Sequence, residues 1–438
     1  MSEPPLSTRV TGDLGSATPE TSRVQRRTMV VLVIMQIVGT IGVGVAPSIG
    51  VLLAGEVTQN EAWAGLARTA STLGAALLGL PLGDLAARFG RRFALSIGWW
   101  IAAIGSAILV AASQGSLVIP LFVGLLLIGA GSAVSLQARF AATDLARPRH
   151  KGRALALVVW VGTIGSVLGP NLGVPGEFLS AHSGLTVYAG AFLIAAICLG
   201  LAGVIVFIWL RPDPLLHLQR TVPAPTSPIG RRPSRVRLAL AELRLNRSAR
   251  YAVIAIITAQ SVMASVMTMT PVHMVHMGGS IEVVGITISL HVLGMYAFSP
   301  FVGYLADRMG QRLTIGLGIV VFLASLVIGA VRADETAWVI VSLILLGVGW
   351  SFVNVSGSAL FSAVVSDETR ASSQGGVDAL SNLCGAAAAF AAGPLLAISS
   401  FSMLSVVAMV ALVPLIILTL RGERAPRGDR PAFEGNRR

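Results

Sequence analysis

The stretch Gly303–Arg312 reads GYLADRMGQR and lies between two long apolar runs. Asp307, Arg308 and Arg312 are too costly to leave in hydrocarbon, so they mark a membrane face. Gly310 supplies a tight turn, and Gly303 is expected to let neighbouring helices approach closely. A degenerate copy stands earlier, at Gly83–Arg92, reading GDLAARFGRR. There Ala87 takes the place that matches Asp307, and the acid, Asp84, lies three residues before it. Two such copies 220 residues apart in a chain of 438 residues indicate an internal duplication.

Composition points the same way. Hydrophobic residues make up 54% and charged residues 12% of the chain, with a mean hydropathy of +0.79. A soluble domain carries about twice that share of charge. Apolar runs of about 18 residues or more recur along the whole length, as in a polytopic helical membrane protein. The net charge of +12 arises from arginines clustered in alternate loops and tails. That is the positive-inside pattern, which argues for a lipid bilayer as the partner and against nucleic acid. Cys198 and Cys384 fall in apolar spans and read as packing residues, with no disulfide framework.

Outward from the two turns, the chain divides into twelve spans. Residues 1–28 read as a disordered cytoplasmic tail. The first half covers 29–210, with spans at about Met29–Leu53, Trp63–Leu82, Phe93–Ala112 and Leu117–Leu136, a fifth carrying GSVLGPNLG (Gly165–Gly173), and a sixth ending near Trp209. Residues 211–250 hold six prolines and many arginines and read as a cytoplasmic linker. Within it, RVRLALAELRL (Arg235–Leu245) fits either a basic amphipathic helix on the inner leaflet or a solvated linker. The second half covers 251–420, with spans at about Tyr251–Val275, Ile281–Leu305, Leu313–Val331, Trp338–Phe361, Ala371–Ala397 and Phe401–Leu420, and residues 421–438 form a second cytoplasmic tail. Three landmarks fix the register between halves. Gly83 corresponds to Gly303, Asp144 to Asp367 and Gly169-Pro170 to Gly393-Pro394, at offsets of 220, 223 and 224.

The turn GYLADRMGQR resembles the signature of the major facilitator superfamily, found between its helices 2 and 3 and again between helices 8 and 9. The resemblance implies an all-α membrane protein with twelve helices in two pseudo-repeated six-helix halves, working by alternating access. Span 5 is similar to that superfamily's helix 5 motif, often seen in proton-coupled antiporters. Gly165, Gly169, Pro170 and Gly173 match it, and Val174 replaces its last glycine. Glycine and proline inside a span allow close approach and bending, which suits a moving interface.

In this family the charged turns lock the inner face of the outward-open state. Arg–carboxylate pairs at the membrane edge are strong and directional, yet they break when the halves rock. Asp307, Arg308 and Arg312 are expected to form one lock, with Asp367 as partner. Asp84, Arg88, Arg91 and Arg92 are expected to form the other, with Asp144. The alternative is that these charges only set topology.

Half of the methionines and half of the histidines lie between Met263 and Met295. Met263 and Met267 on span 7, and His291 and Met295 on span 8, are i, i+4 pairs that share a helical face. His273 and Met277 give a third such pair near the outer mouth. Thioether and imidazole are soft, neutral ligands that suit Cu(I). The pairs on spans 7 and 8 look like those of the copper-importing CcoA-like branch of the superfamily, which implies metal ligation by Met263, Met267, His291 and Met295. Methionine is also a common filler between moving helices, and a mid-span histidine can be a proton site.

Asp378 is the best candidate for a carboxylate inside a span: it reads either as a proton carrier, with room for water left by the glycines beside it (Gly375, Gly376), or as a helix-start charge near the inner headgroups. Arg68, within span 2, either snorkels to headgroups or faces a wet cavity. The sequence therefore predicts a monomeric secondary transporter of the cell membrane. It has no cofactor, and both termini are cytoplasmic. Its cargo is copper or an organic compound exported against protons, and a non-transporting sensor or scaffold is the contrasting class. No nucleophile–base pair or carboxylate pair suggests an enzyme.

Overall fold

The computed structural model describes residues 19–60, 62–147, 150–221, 246–365 and 367–421, with backbone alone at 221 and 367–372. The N-terminal tail before Pro19, the expected amphipathic segment Arg235–Leu245 and the C-terminal tail lie outside the described residues. Among the described residues twelve helices are long and apolar enough to cross a membrane, and no strand occurs. They are α1 (Pro19–Thr58), α2 (Ala62–Phe89), α3 (Arg91–Gly115), α4 (Val118–Thr143), α5 (Lys151–Ser183) and α6 (Val187–Trp209) in the first half. The second half holds α7 (Arg247–His276), α8 (Ile281–Met309), α9 (Gln311–Val331), α10 (Thr336–Val364), α11 (Asp367–Ile398) and α12 (Phe401–Leu420).

Helix α1 begins well before the apolar run that starts at Met29. Its polar first turns carry Arg23, Arg26 and Arg27 but bury Val24 and Thr28. Gln25 donates to the Ala142 carbonyl at 2.8 Å, and Arg27 Nε donates to the Trp209 carbonyl at 3.2 Å. Hydropathy alone reads these residues as tail, whereas tertiary contacts hold them helical.

Two spans break where proline removes a backbone donor. In α1, Pro47 sits in a widened turn in which the Gly50 N–H reaches the Val45 carbonyl at 3.3 Å. In α5, Gly169–Leu172 form a tight turn between two helical segments. The breaks face each other. A Cβ at Gly169 would lie 2.6 Å from Gly44 Cα, and one at Gly165 would lie 2.5 Å from the Ile37 carbonyl oxygen. Thus α1 and α5 touch backbone to backbone.

The two charged turns are built alike. Gly90 and Gly310 adopt φ of +88° and +90°, a region that disfavours side chains, and each starts the following helix. Gly303 departs from expectation, because a Cβ there would meet nothing within 4 Å. Its face is open rather than packed on a neighbouring helix.

The halves meet along α2–α11 and α5–α8. Thr69 Oγ1 donates to the Ala386 carbonyl at 2.9 Å, and a Cβ at Gly393 would lie 2.5 Å from the Ala62 carbonyl oxygen. Asn171 Nδ2 donates to Ser289 Oγ at 2.6 Å, which in turn donates to the Val167 carbonyl at 2.5 Å. Gly173 abuts Ile281 across the same seam. These hydrogen bonds between the halves lie on the side of the bundle away from the charged turns. Toward the turns, Leu77 and Leu80 on α2 and Leu383 on α11 are exposed. The hydrogen bonds that join the halves thus lie toward the end away from the charged turns.

Gly393→Val should prise α2 from α11. Alkylation of a cysteine placed at Thr69, in a background lacking Cys198 and Cys384, should then speed up several-fold. An unchanged rate would show that this contact does not hold the halves together at the far end.

Candidate functional site

A group of polar and aromatic side chains on α8, α10 and α7 lies within electrostatic reach of charges on the first half. His291 on α8 is fully buried, and its Nδ1 lies 2.7 Å from the Leu343 carbonyl of α10. A carbonyl only accepts, so Nδ1 carries the proton, and in the neutral ring Nε2 is an acceptor. That Nε2 is buried without a hydrogen-bond partner. Farther along the same helix, Tyr296 meets Trp350 of α10 edge-on, with ring centroids 5.8 Å apart. Trp350 Nε1 donates to Gln260 Oε1 of α7 at 3.0 Å, and Gln260 packs on Gly385 of α11. Four helices of the second half are thereby tied around one aromatic pair.

The first half supplies cations. Arg68 of α2 is half-buried, and its guanidinium lies within electrostatic reach of both His291 and Tyr296. Arg139 of α4 is also half-buried, within electrostatic reach of Tyr296 and of Asp378 on α11. Neither arginine makes an ion pair or a hydrogen bond among the described residues. A guanidinium carries five donors and stays charged, so two of them half-buried between helices call for water or an acceptor-rich solute. Asp378 is exposed to solvent.

The histidine and methionine pairs are placed differently from one another. Met263, Met267 and Met295 are buried in the apolar core with Val262, Ile288 and Val292. His273 is engaged: its Nε2 lies 2.8 Å from the Ala333 carbonyl and its ring stacks on Phe401 at 4.4 Å. Met277 ends α7 and packs on a small cluster with Met274 and Val284. Among the described residues no group of three or more His, Cys, Asp or Glu is arranged to hold a metal.

Among the described residues the turn charges form one ion pair. Arg91 grips Asp144 through Nε at 2.9 Å and Nη2 at 3.3 Å, with Nη1 on Gln137 Oε1 at 3.2 Å. Both partners belong to the first half, so the pair braces that half and does not join the two. Asp84 and Arg88 are exposed without an ion pair among the described residues. Arg92 lies over the Phe207 ring at 5.3 Å. In the second turn Arg308 donates to the Tyr304 hydroxyl at 2.8 Å, and Arg312 lies over the Tyr251 ring at 4.9 Å. Asp307 is exposed and makes no ion pair among the described residues. The Asp367 side chain lies outside them.

Sequence reasoning missed Asp213. Its Oδ2 accepts from the Arg92 N–H at 2.7 Å, and its Oδ1 accepts from the N–H groups of Leu215 and Leu216 at 3.0 and 3.1 Å. One carboxylate thus caps α3 and the short helix Pro214–Thr221. A Cβ at Gly90 would lie 2.5 Å from its Oδ2. The run Pro212-Asp213-Pro214 carried the signal, an N-cap acid before a proline at the first helical position. The acid that Ala87 denies to this turn arrives from the end of α6. Trp350, Tyr296, Gln260 and Arg139 were also missed as site residues, because each sits in or beside an apolar run with nothing in its spacing to mark it.

Asp144→Asn should lower stability by about 1–3 kcal/mol, because Arg91 then loses its charged partner while staying largely buried. Asp84→Asn should change it by less than about 0.5 kcal/mol, as for other exposed positions. Thermal unfolding in detergent compares the two, and equal shifts would remove the structural role of the Arg91–Asp144 pair.

Comparison with known proteins gives a consistent picture. The profile of the Major Facilitator Superfamily matches residues 29–284 and 252–438. The chain is 38% identical to the uncharacterized MFS-type transporter YdeG of Bacillus subtilis (strain 168), over 86% of this chain and 87% of that protein. It is 30% identical to the riboflavin transporter RfnT of Brucella anthropi, over 85% of this chain and 89% of that one. Among solved structures, the nucleoside transporter NupG superposes with a TM-score of 0.69 at 14% identity, covering 91% of this chain and 100% of that chain. At that identity the likeness shows the fold alone.

Proposed function

The chain belongs to the major facilitator superfamily, a family of membrane transporters and not of enzymes, and from that premise we propose that its cargo is a small organic solute rich in acceptor oxygens. The observation that carries this reading is that Arg68 and Arg139, whose guanidiniums have no partner among the described residues, both lie within electrostatic reach of Tyr296, whose ring meets Trp350 edge-on. Guanidinium groups grip carbonyl, carboxylate or phosphate oxygens, and the rings stack on or edge against a planar cargo. His291 Nε2 offers one buried acceptor for a donor on the same solute. The riboflavin transporter at 30% identity, whose cargo is planar, aromatic and rich in carbonyl and hydroxyl oxygens, supports the same class.

Copper uptake is the second reading, and the specific observation in its favour is that same orphaned His291 Nε2 on one helical face with buried Met295. Electrostatics weighs against it. A cation bound at Nε2 would sit within reach of the Arg68 charge, which no carboxylate neutralises among the described residues. Met263 and Met267 then act as adaptable packing in a core that moves.

The transport cycle follows from the two ends. In the state seen here the halves are joined toward the far end by Thr69–Ala386 and Asn171–Ser289. In the alternate state the turn-bearing end closes, bringing Asp307, Arg308, Arg312 and Asp367 into one lock and Asp84 and Arg88 into the other, while α5 bends at Gly169-Pro170. The arginine excess supports a cytoplasmic turn-bearing end, and cytoplasmic termini, in a cell-membrane protein. Asp378, solvent-exposed and within reach of Arg139, carries the coupling proton.

Three measurements test this. Proteoliposomes containing wild type should take up riboflavin, and Arg68→Gln should weaken half-saturation roughly tenfold or more, the effect of losing a charged hydrogen bond. Uptake no faster than in empty vesicles overturns the organic-solute reading. Cellular copper restored by wild type but not by Met267→Ala or His291→Ala establishes the metal path instead. In the same vesicles Asp378→Asn should abolish the response to an imposed pH gradient, and an undiminished response would end its proton role.

A further inference from the structure

The polar first turns of α1 do more than cap a span. Arg23, Arg26 and Arg27 are all exposed there, and no carboxylate pairs with them among the described residues. Positions 23, 27, 30 and 34 recur at helical spacing on one face, with Arg26 beside them. The face therefore changes from arginine to Val30 and Ile34, which are 53% and 37% exposed. From Arg23 to Ile34 it runs roughly 16 Å at the rise of an α-helix.

The end of α6 walls this face. Trp209 is exposed, and its carbonyl accepts from Arg27 Nε at 3.2 Å, which fixes one arginine at the rim. Together these residues enclose a groove of about 450 Å³, with a basic mouth and an apolar floor of Val30, Val31 and Ile34. It lies on the outside of the bundle, apart from the transport cavity. On the other flank of the same turns lies a second groove of about 440 Å³ whose lining includes Arg147 and Arg153.

We propose that the groove between α1 and the end of α6 binds an acidic phospholipid of the leaflet at the turn-bearing end. The phosphate sits among Arg23, Arg26 and Arg27, and one acyl chain lies along Val30 and Ile34. Charge complementarity selects the headgroup, since a polybasic cluster attracts anionic lipid and a zwitterionic headgroup returns less of that energy. The apolar floor selects a lipid over free phosphate, because only an acyl chain covers Val30 and Ile34. Trp209 stands at the level where an indole suits the interface. The bound lipid anchors the first turns of α1, which also bond to the ends of α4 and α6 through Gln25 and Arg27.

Trp209 is a built-in reporter. Its fluorescence, taken as wild type minus Trp209→Phe, is measured in vesicles doped with phospholipid brominated on the acyl chains. Phosphatidylglycerol should reach half-maximal quenching at about one fifth or less of the mole fraction that phosphatidylcholine needs, at roughly fivefold per arginine engaged. Arg23→Gln with Arg26→Gln should erase this preference. Arg247→Gln with Arg250→Gln removes the same charge from exposed positions at the start of α7 and should keep it. Equal quenching by the two lipids, or loss of preference in both double variants alike, overturns the site. Reversal of the quenching by excess inorganic phosphate assigns the arginines to a free anion and likewise overturns it.

Discussion

Close approach of backbone to backbone is the constraint on which this molecule depends. Lipid tails are as apolar as leucine, so spans gain little by hiding hydrophobic side chains from lipid and associate through packing of small residues instead. The structure uses that route both within and between the halves. Gly165 and Gly169 set α5 on α1, and Gly393 seats α11 on α2 at Ala62. Such contacts are extensive in van der Waals terms yet hold few hydrogen bonds. Thr69–Ala386 and the Asn171–Ser289–Val167 chain are polar links between the halves. A seam of this kind can part without stranding many donors in hydrocarbon, which a rocking transporter requires.

The same economy explains why the arginines matter. Inside the halves, several hydroxyls are satisfied locally: Thr40, Ser180, Thr268 and Thr287 each return a hydrogen bond to a carbonyl one turn back. Against that background Arg68 and Arg139 are anomalous, half-buried and without partners among the described residues. Unpaired charge in a span is costly and is kept where it meets cargo or water. The field of Arg68 also bears on the histidine beside it. A neutral imidazole near a fixed positive charge is a better hydrogen-bond acceptor for an organic solute than a ligand for a second cation. Residue type alone makes His291 and Met295 look like soft metal ligands, and the neighbouring charge from another helix changes what they suit.

That difference marks the limit of what could be read in the chain itself. Twelve spans, two halves and both glycine turns were legible, because the bilayer forces each span to be long and apolar and φ near +90° at Gly90 and Gly310 favours glycine. The polar start of α1 was not, since its helical state rests on Val24, Thr28 and two hydrogen bonds to distant carbonyls. Arg68 and Asp378 stood out as charges inside spans. Arg139 did not, because it follows the apolar run of span 4 and resembles a loop arginine, although α4 continues to Thr143. Tyr296, Trp350 and Gln260 come together only through the rotation of α8, α10 and α7 about their axes, which packing sets and hydropathy does not encode. The close approach expected at Gly303 failed for the same reason: glycine permits contact, but the neighbour must be there.

The two charged turns, alike in sequence and in backbone, have diverged in how they are held. In the second, Asp307 is kept at the family position and stands free of ion pairs among the described residues, available to a partner in another state. In the first, Ala87 has removed that acid, and Asp213 supplies a carboxylate from beyond α6 that is fully engaged by three backbone N–H groups. A carboxylate used in this way is a rivet: it is desolvated and satisfied, and it gains nothing from exchanging partners as the halves move. The Arg91–Asp144 pair is likewise internal to its half. The first half is therefore braced as a rigid unit at this end, and the exposed, exchangeable charge is concentrated on the second. At Gly169-Pro170 α5 has already given up a regular helical turn, so bending there would cost little further hydrogen bonding.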